Sequence, residues 1–332
     1  MRSLREITVT MRPLRTLLLA AVSASLFGCA TSPAHVPEPQ PLESGRLPTP
    51  DVAVSIPGLG PCTDSADRTL RFNSSYPMTI LVHGCNGSAG HFRALAQLYA
   101  FHGQQSACFS YDDRDSLMVS SAQLIAALGD LAGHTPNRSV TVIGHSMGGL
   151  IARKAMERQR RGAWPPEDVR LNLVTVSAPF AGIAVANTCG NKWLQWLSLG
   201  AVPGICRIIT GDNWYEVTAS SNFIRDPGPL LDSVQRYVKI VTDERGTCRR
   251  RSEDGSCLES DYTFSLAEQY QPLIDNSTQL TNVEVGAGHV EIVGYKQVAP
   301  RKLLAILQQQ GMLAATPPDR WGALERLLAR LY

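Results

Sequence analysis

The sequence predicts an α/β protein: a mainly parallel sheet with helices on both faces. Three observations predict it. Short apolar runs rich in strand formers recur along the chain, helical-period apolar segments lie between them, and no repeat of fixed period appears. Such alternation packs helices on both faces of a parallel sheet. It also brings the strand carboxyl ends to one edge, where these folds place their sites.

The elements follow in order. Thr79-Ile-Leu-Val-His83 is the first strand, stopped by Gly84, and an apolar helical pattern runs from about Gly90 to Gly103. Ala107-Cys-Phe-Ser-Tyr111 is the second strand. Leu117, Leu124, Ile125, Leu128 and Leu131 then share one helical face across Ser116 to Leu131. Ser139-Val-Thr-Val-Ile143 is the third strand, and a helix follows from Met147 to about Arg160. Leu171–Val176, Arg236–Thr242 and Thr281–Val285 are the fourth, fifth and sixth strands. Residues 301–332 read as two helices split by Pro317-Pro318. Between the fourth and fifth strands, about 180–235, no strand is legible, and Trp193, Trp196 and Trp214 fall there. A stretch this long inside one domain reads as a lid or binding insertion. Leu194, Leu197 and Leu199 beside the tryptophans would suit an apolar acyl pocket or a cap packed on the domain.

Composition bounds the function. Hydrophobic residues make up 44% and charged residues 18% of 332, enough to bury a large core. The formal charge is +2, but the first 28 residues alone carry +3, from Arg2, Arg5, Arg12 and Arg15 against Glu6. A near-neutral body argues against a nucleic-acid binder.

The N-terminus reads as an address. Arg12 and Arg15 precede an uncharged apolar run, Thr16 to Gly28, too short to cross a membrane and suited to an export signal. Leu26-Phe-Gly-Cys29 resembles a bacterial lipobox, which implies a signal peptide over 1–28 and lipidation of Cys29. Pro33, Pro37, Pro39, Pro41, Pro48 and Pro50 make 29–50 an extended tether, leaving 51–332 as the folded domain. Ala30, rather than Asp, follows the cysteine, and by that resemblance the expected location is the bacterial outer membrane, facing the periplasm. The other seven cysteines suit an oxidising compartment. Cys189–Cys206 and Cys248–Cys257 are the expected local disulfides. A third pair among Cys62, Cys85 and Cys108 stays open.

Gly144-His-Ser146-Met-Gly148 follows a strand and opens a helix containing Leu150, Ile151, Ala152 and Ala155. That is the context of a nucleophile elbow, in which the glycines allow a tight turn and Ser146 projects above the sheet edge. The helix N-terminus behind it favours negative charge on a reacting oxygen. Chain order in such sites is Ser, then Asp or Glu, then His. His289, in Gly286-Ala-Gly-His289, is the one histidine beyond Ser146 and is the expected base. His145 should point away from the reacting face.

On these residues the chain resembles the α/β-hydrolase fold, and within it bacterial lipases and esterases, over roughly 76–300. By that resemblance His83-Gly84 is an oxyanion loop, with the backbone N–H groups of Cys85 and Met147 holding the oxyanion. Thr175-Val-Ser-Ala-Pro-Phe-Ala-Gly182 resembles a lipase strand end, with Ser177 and Phe180 replacing commoner residues and given no role. Two acids are open. Asp243 ends the fifth strand. Asp261 lies 28 residues before His289, resembles the start of a lipase acid loop, and is preferred. Residues 244–259 would then be an insertion clipped by Cys248–Cys257.

The expectation is a lipid-anchored serine hydrolase cleaving carboxylic (acyl) esters through Ser146, His289 and Asp261. A thioesterase, amidase or acyltransferase would use the same residues. A non-catalytic binding module on this scaffold is the reading from another class. No metal or cofactor is expected, since no HExxH, clustered His or EF-hand loop occurs. The expected partners are an ester substrate and a membrane. Arg249-Arg-Arg251 reads as a solvated face. Tyr111 to Asp115 reads either as cleft lining or as an acidic turn with a helix cap.

Overall fold

The computed structural model describes residues 46–158, 169–184 and 215–332. These all belong to the unit Glu38–Tyr332. Residues 1–28, where a signal is expected, Cys29 and most of the expected tether lie outside the described residues, as do Cys189, Cys206, Trp193, Trp196, Trp214 and most of the expected insertion.

Among the described residues eleven strands form: β1 Val52–Val54, β2 Leu59–Gly60, β3 Leu70–Phe72, β4 Met78–Val82, β5 Gln105–Phe109, β6 Ser139–His145, β7 Arg170–Val176, β8 Val234–Asp243, β9 Cys248–Arg251, β10 Cys257–Ser260 and β11 Leu280–Gly286. Seven make the central sheet, in the order β11-β8-β7-β6-β4-β5-β2. Its pairs are parallel except β2, which lies antiparallel on β5 at one edge. All six expected strands are present. β1, β2 and β3 have two or three residues each, too few to show a period of two.

Two apolar layers sandwich the sheet because strand side chains alternate between its faces. Ile80, Val82, Val140 and Val142 meet α2 (Leu117–Gly133) and α3 (Met147–Ala155) on one face. Leu81, Ile143, Val174 and Ile240 meet α1 (Arg93–Phe101), α4 (Arg301–Gln309) and α5 (Trp321–Leu331) on the other. Each buried Leu or Ile contributes roughly 1.5–3 kcal/mol relative to exposure. Ser116 caps α2 by accepting from the amides of Met118 and Val119. Gly103, at φ 73°, turns the chain out of α1.

The chain leaves β4 for β5 on one side and returns to β6 on the other. Strand order therefore reverses between β4 and β6, where open α/β sheets form their crevice. Register does the rest. Val82 pairs with Gly144, His145 with Val176, Val176 with Ile240, and Asp243 with Gly286. The segments beginning at His83, Ser146, Ser177, Glu244 and Ala287 thus leave the sheet side by side. This is the α/β-hydrolase fold, with a mainly parallel sheet and helices on both faces.

Two disulfides occur among the described residues. Cys248–Cys257 clips β9 to β10, as expected. Cys62–Cys108 settles the open pairing, tying the segment after β2 to β5. Cys85 is exposed and takes part in neither.

Candidate active site

Ser146 sits at φ 56°, ψ −126°, between β6 and α3. A residue with a side chain enters that region only at a cost of about 1–3 kcal/mol, and strain of this kind concentrates at working sites. The glycines around it are needed for space. A Cβ on Gly144 would strike the backbone of Gly148, and one on Gly148 would strike the carbonyls of Val82 and His83. A Cβ on Gly84 would lie 2.8 Å from that of Ser146, so the strand end after β4 runs directly beside the serine. The Cys85 amide follows on that strand end, and Met147 is the first residue of α3.

The His83 loop is held from behind. Tyr111 donates its hydroxyl to the His83 carbonyl at 2.7 Å, and the two rings stack at 4.3 Å. Burial lowers the His83 pKa, so the neutral ring donates through Nδ1 to the Gly84 carbonyl at 2.9 Å. Tyr111 thus supports the loop, and Asp113 accepts the amide of Asn86 within it.

His289 Nε2 lies 3.1 Å from Ser146 Oγ. Nδ1 lies 3.0 Å from Oε1 of Glu244 and 2.8 Å from Oγ of Ser177. The edge of Phe264 packs on the same ring at 4.8 Å. For Ser146 to donate, Nε2 must accept, which places the imidazole proton on Nδ1, facing Glu244. A hydroxyl, an imidazole and a carboxylate in this line can turn the hydroxyl into a nucleophile and store its proton.

The carboxylate on the histidine is Glu244, which corrects both expected acids. Asp261 is 2% exposed, but its carboxylate is committed to the amides of Val290 and Glu291 and to the guanidinium of Arg249, at 2.9–3.2 Å. It meets His289 through its backbone carbonyl, which accepts the His289 amide at 2.9 Å. Asp261 therefore braces the histidine loop from outside the ring. Asp243 turns outward and chelates Arg245, which holds its pKa at about 2. The chain leaves the sheet one residue later, and Glu244 carries its carboxylate inward. Arg249 is likewise not the plain solvated residue expected, because it pairs with buried Asp261.

Glu244 is 1% exposed. Burial opposes its ionisation, but the bond to His289 and the amides of Phe264 and Thr263 outweigh burial and lower its pKa. Oε1 also faces the hydroxyls of Ser177 at 2.8 Å and Thr242 at 3.0 Å. Gln269 ties back to Thr242 through its amide and carbonyl. A buried carboxylate so supplied with donors stays charged.

His145 does not simply point away. Its Nε2 lies 2.8 Å from the His289 carbonyl, and the two rings are 4.8 Å apart. Burial, reinforced by His289 nearby, pushes its pKa down to about 3, so the neutral ring donates to that carbonyl. Glu244, Ser177, His145 and Gln269 were not foreseen as site residues. For Glu244 a signal was present: a second acid directly after Asp243 at a strand end.

Residues 77–190 match the family model described as a PGAP1-like alpha/beta domain. No curated protein matches the chain by sequence. Among solved structures, the propeptide form of the lipase BlEst2 from Bacillus licheniformis superposes with a TM-score of 0.52 at 16% identity, over 79% of this chain and 55% of that one. Its mature form gives 0.49 at 17% identity, over 77% and 99%. Esterase B from Lactobacillus rhamnosis gives 0.48 at 14% identity, over 80% and 88%. At these identities the first likeness supports the fold.

Proposed function

We propose that the protein is a serine hydrolase that cleaves carboxylic esters. Ser146 attacks the carbonyl carbon, and His289 takes its proton at Nε2. Glu244 holds the Nδ1 tautomer and balances the imidazolium. The amides of Met147 and Cys85 receive the oxyanion. His289 then returns the proton to the leaving alcohol, and water repeats the sequence on the acyl-enzyme. One observation carries this reading: Ser146 Oγ, at a strained strand-to-helix turn, lies 3.1 Å from His289 Nε2, whose other nitrogen faces a buried carboxylate. The PGAP1-like match and the lipase and esterase fold agree with it.

Labelling with a fluorophosphonate probe and hydrolysis of a graded series of p-nitrophenyl acyl esters test the reading. The wild type should label and turn over, and Ser146→Ala should do neither. A folded Ser146→Ala protein with wild-type turnover refutes it.

The reading extends to location. Cys29 carries the lipid anchor, the proline-rich 29–50 stretch is the spacer, and the domain works at the outer membrane, facing the periplasm.

A further inference from the structure

Ser177 is fully buried and has φ 49°. Glycine adopts that conformation freely, while a side chain there is strained. A serine stands where losing its side chain would relieve the backbone. Its oxygen lies 2.8 Å from His289 Nδ1, 2.8 Å from Glu244 Oε1 and 2.7 Å from Thr242 Oγ1. The proton inventory fixes its role. Nδ1–H can only donate and the carboxylate can only accept. The Ser177 proton therefore goes to Glu244, where charge strengthens the bond, and the Ser177 oxygen accepts a share of Nδ1–H. Thr242 Oγ1 lies 3.0 Å from Glu244 Oε1 and 3.3 Å from Gln269 Oε1, so its own proton has carboxylate and amide acceptors and leaves the shorter 2.8 Å contact on Glu244 to Ser177.

We propose that Ser177 is a positioning residue for His289, closing a three-membered ring of hydrogen bonds with Nδ1 and the Glu244 carboxylate. The ring does two things. It gives Nδ1–H two acceptors on one side, which fixes the plane of the imidazole and the direction of Nε2. It also engages Glu244 Oε1 with a second donor, which moderates its pull on the histidine proton. The backbone fixes Ser177 for this task. Its amide donates to the Ile240 carbonyl at 2.9 Å, so the hydroxyl is set by the β7–β8 ladder. The proposal deepens the hydrolase reading and rests on it.

Ser177→Gly is the decisive variant, because it removes the hydroxyl and relieves the positive φ together. A residue kept for structure alone should show unchanged turnover, and a Tm that rises or holds. The expected result is a Tm at least equal to wild type with kcat for p-nitrophenyl butyrate lowered 10- to 100-fold and KM nearly unchanged. The acid limb of the kcat/KM profile should move to higher pH, since Oε1 has lost a competing donor. Wild-type kcat with an unmoved limb in the folded variant overturns the proposal. Ser177→Ala supplies the same readouts should the glycine variant fail to fold. A second measurement is independent of turnover: the downfield NMR resonance of the His289 Nδ1 proton should shift in the variant. An inactive wild type that does not label with fluorophosphonate defeats the hydrolase reading, and this resonance still decides the hydrogen-bond ring. An identical resonance in wild type and variant rejects the ring.

Discussion

Oε1 of Glu244 stands 3.0 Å from Nδ1 of His289, and that carboxylate is reached by no solvent. The pair is coupled to Ser146 only through the imidazole, since Nε2 is the atom that faces Oγ. Removing the charge of Glu244 while keeping its shape would let the ring adopt the other tautomer, with Nε2 protonated and unable to accept.

Glu244→Gln should therefore lower kcat by roughly 10³–10⁴-fold with KM little changed, as expected for a triad acid. Asp243→Asn should stay within a few-fold of wild type, because Asp243 is engaged with exposed Arg245. Steady-state kinetics on one chromogenic ester separates the two. Equal losses would place the acid elsewhere.

Asp261→Asn should act differently. Asp261 holds the histidine loop by accepting the Val290 and Glu291 amides and by pairing with Arg249. Asparagine keeps the backbone contact to the His289 amide and loses the charge. A buried polar group so weakened costs on the order of 1–3 kcal/mol. A lower Tm and a kcat loss of roughly tenfold are expected, far short of Glu244→Gln. A loss as deep as that of Glu244→Gln, at unchanged Tm, would show that Asp261 acts on the ring itself.

The outcome at Asp243, Glu244 and Asp261 shows where the sequence stops informing. Ser146 and His289 were legible because each requirement is local: a glycine-flanked turn between strand and helix, and one histidine in a loop after the last strand. The six main strands were legible because each is five residues or longer, enough to show its strand formers. The acid was not, because its identity depends on which of several carboxylates turns inward where the chain leaves β8. A shift of one residue reverses that direction, and two acids stand in succession there. Ser177 was hidden for a similar reason. Its role depends on the register of β7 against β8 and on its positive φ, which no pattern of residue types displays. The Cys62–Cys108 pair depends on the antiparallel docking of the two-residue β2 on β5.

Cys29→Ser should release the protein from the membrane fraction or stall its processing. The motivation is the Leu26-Phe-Gly-Cys29 sequence ahead of the proline-rich stretch. One acyl chain binds membranes only marginally, whereas two or more anchor stably, so the shift on fractionation should be nearly complete. Hydrolysis by the released domain should match wild type per molecule. Membrane retention with normal cleavage in the variant would assign the anchor elsewhere.

His145 gives a test in stability rather than rate. Its pKa falls from 6.5 to about 3, chiefly through burial and secondarily through His289, with Glu244 and the His289 carbonyl working the other way. The depressed value means that the unfolded chain binds a proton at this position which the folded chain refuses. At pH 7 neither form is protonated, and the site is neutral for stability. Between about 6.5 and 3 the unfolded state is favoured, and stability falls as pH falls. By pH 5 this one group costs about 2 kcal/mol. Glu244 adds little at that pH, because its unfolded value of 4.5 lies lower and its folded value lower still. Buried His83 and half-buried His102 shift in the same direction, so the comparison must be between slopes. His145→Gln keeps an N–H donor for the His289 carbonyl and removes the titration. Urea unfolding at pH 7 and pH 5 should therefore show a smaller loss for the variant than for wild type, by about 2 kcal/mol. Equal losses would mean that the ring accepts a proton in the fold. The carbonyl of His289 would then be held by a charged donor, and the histidine loop would tighten in acid instead of loosening.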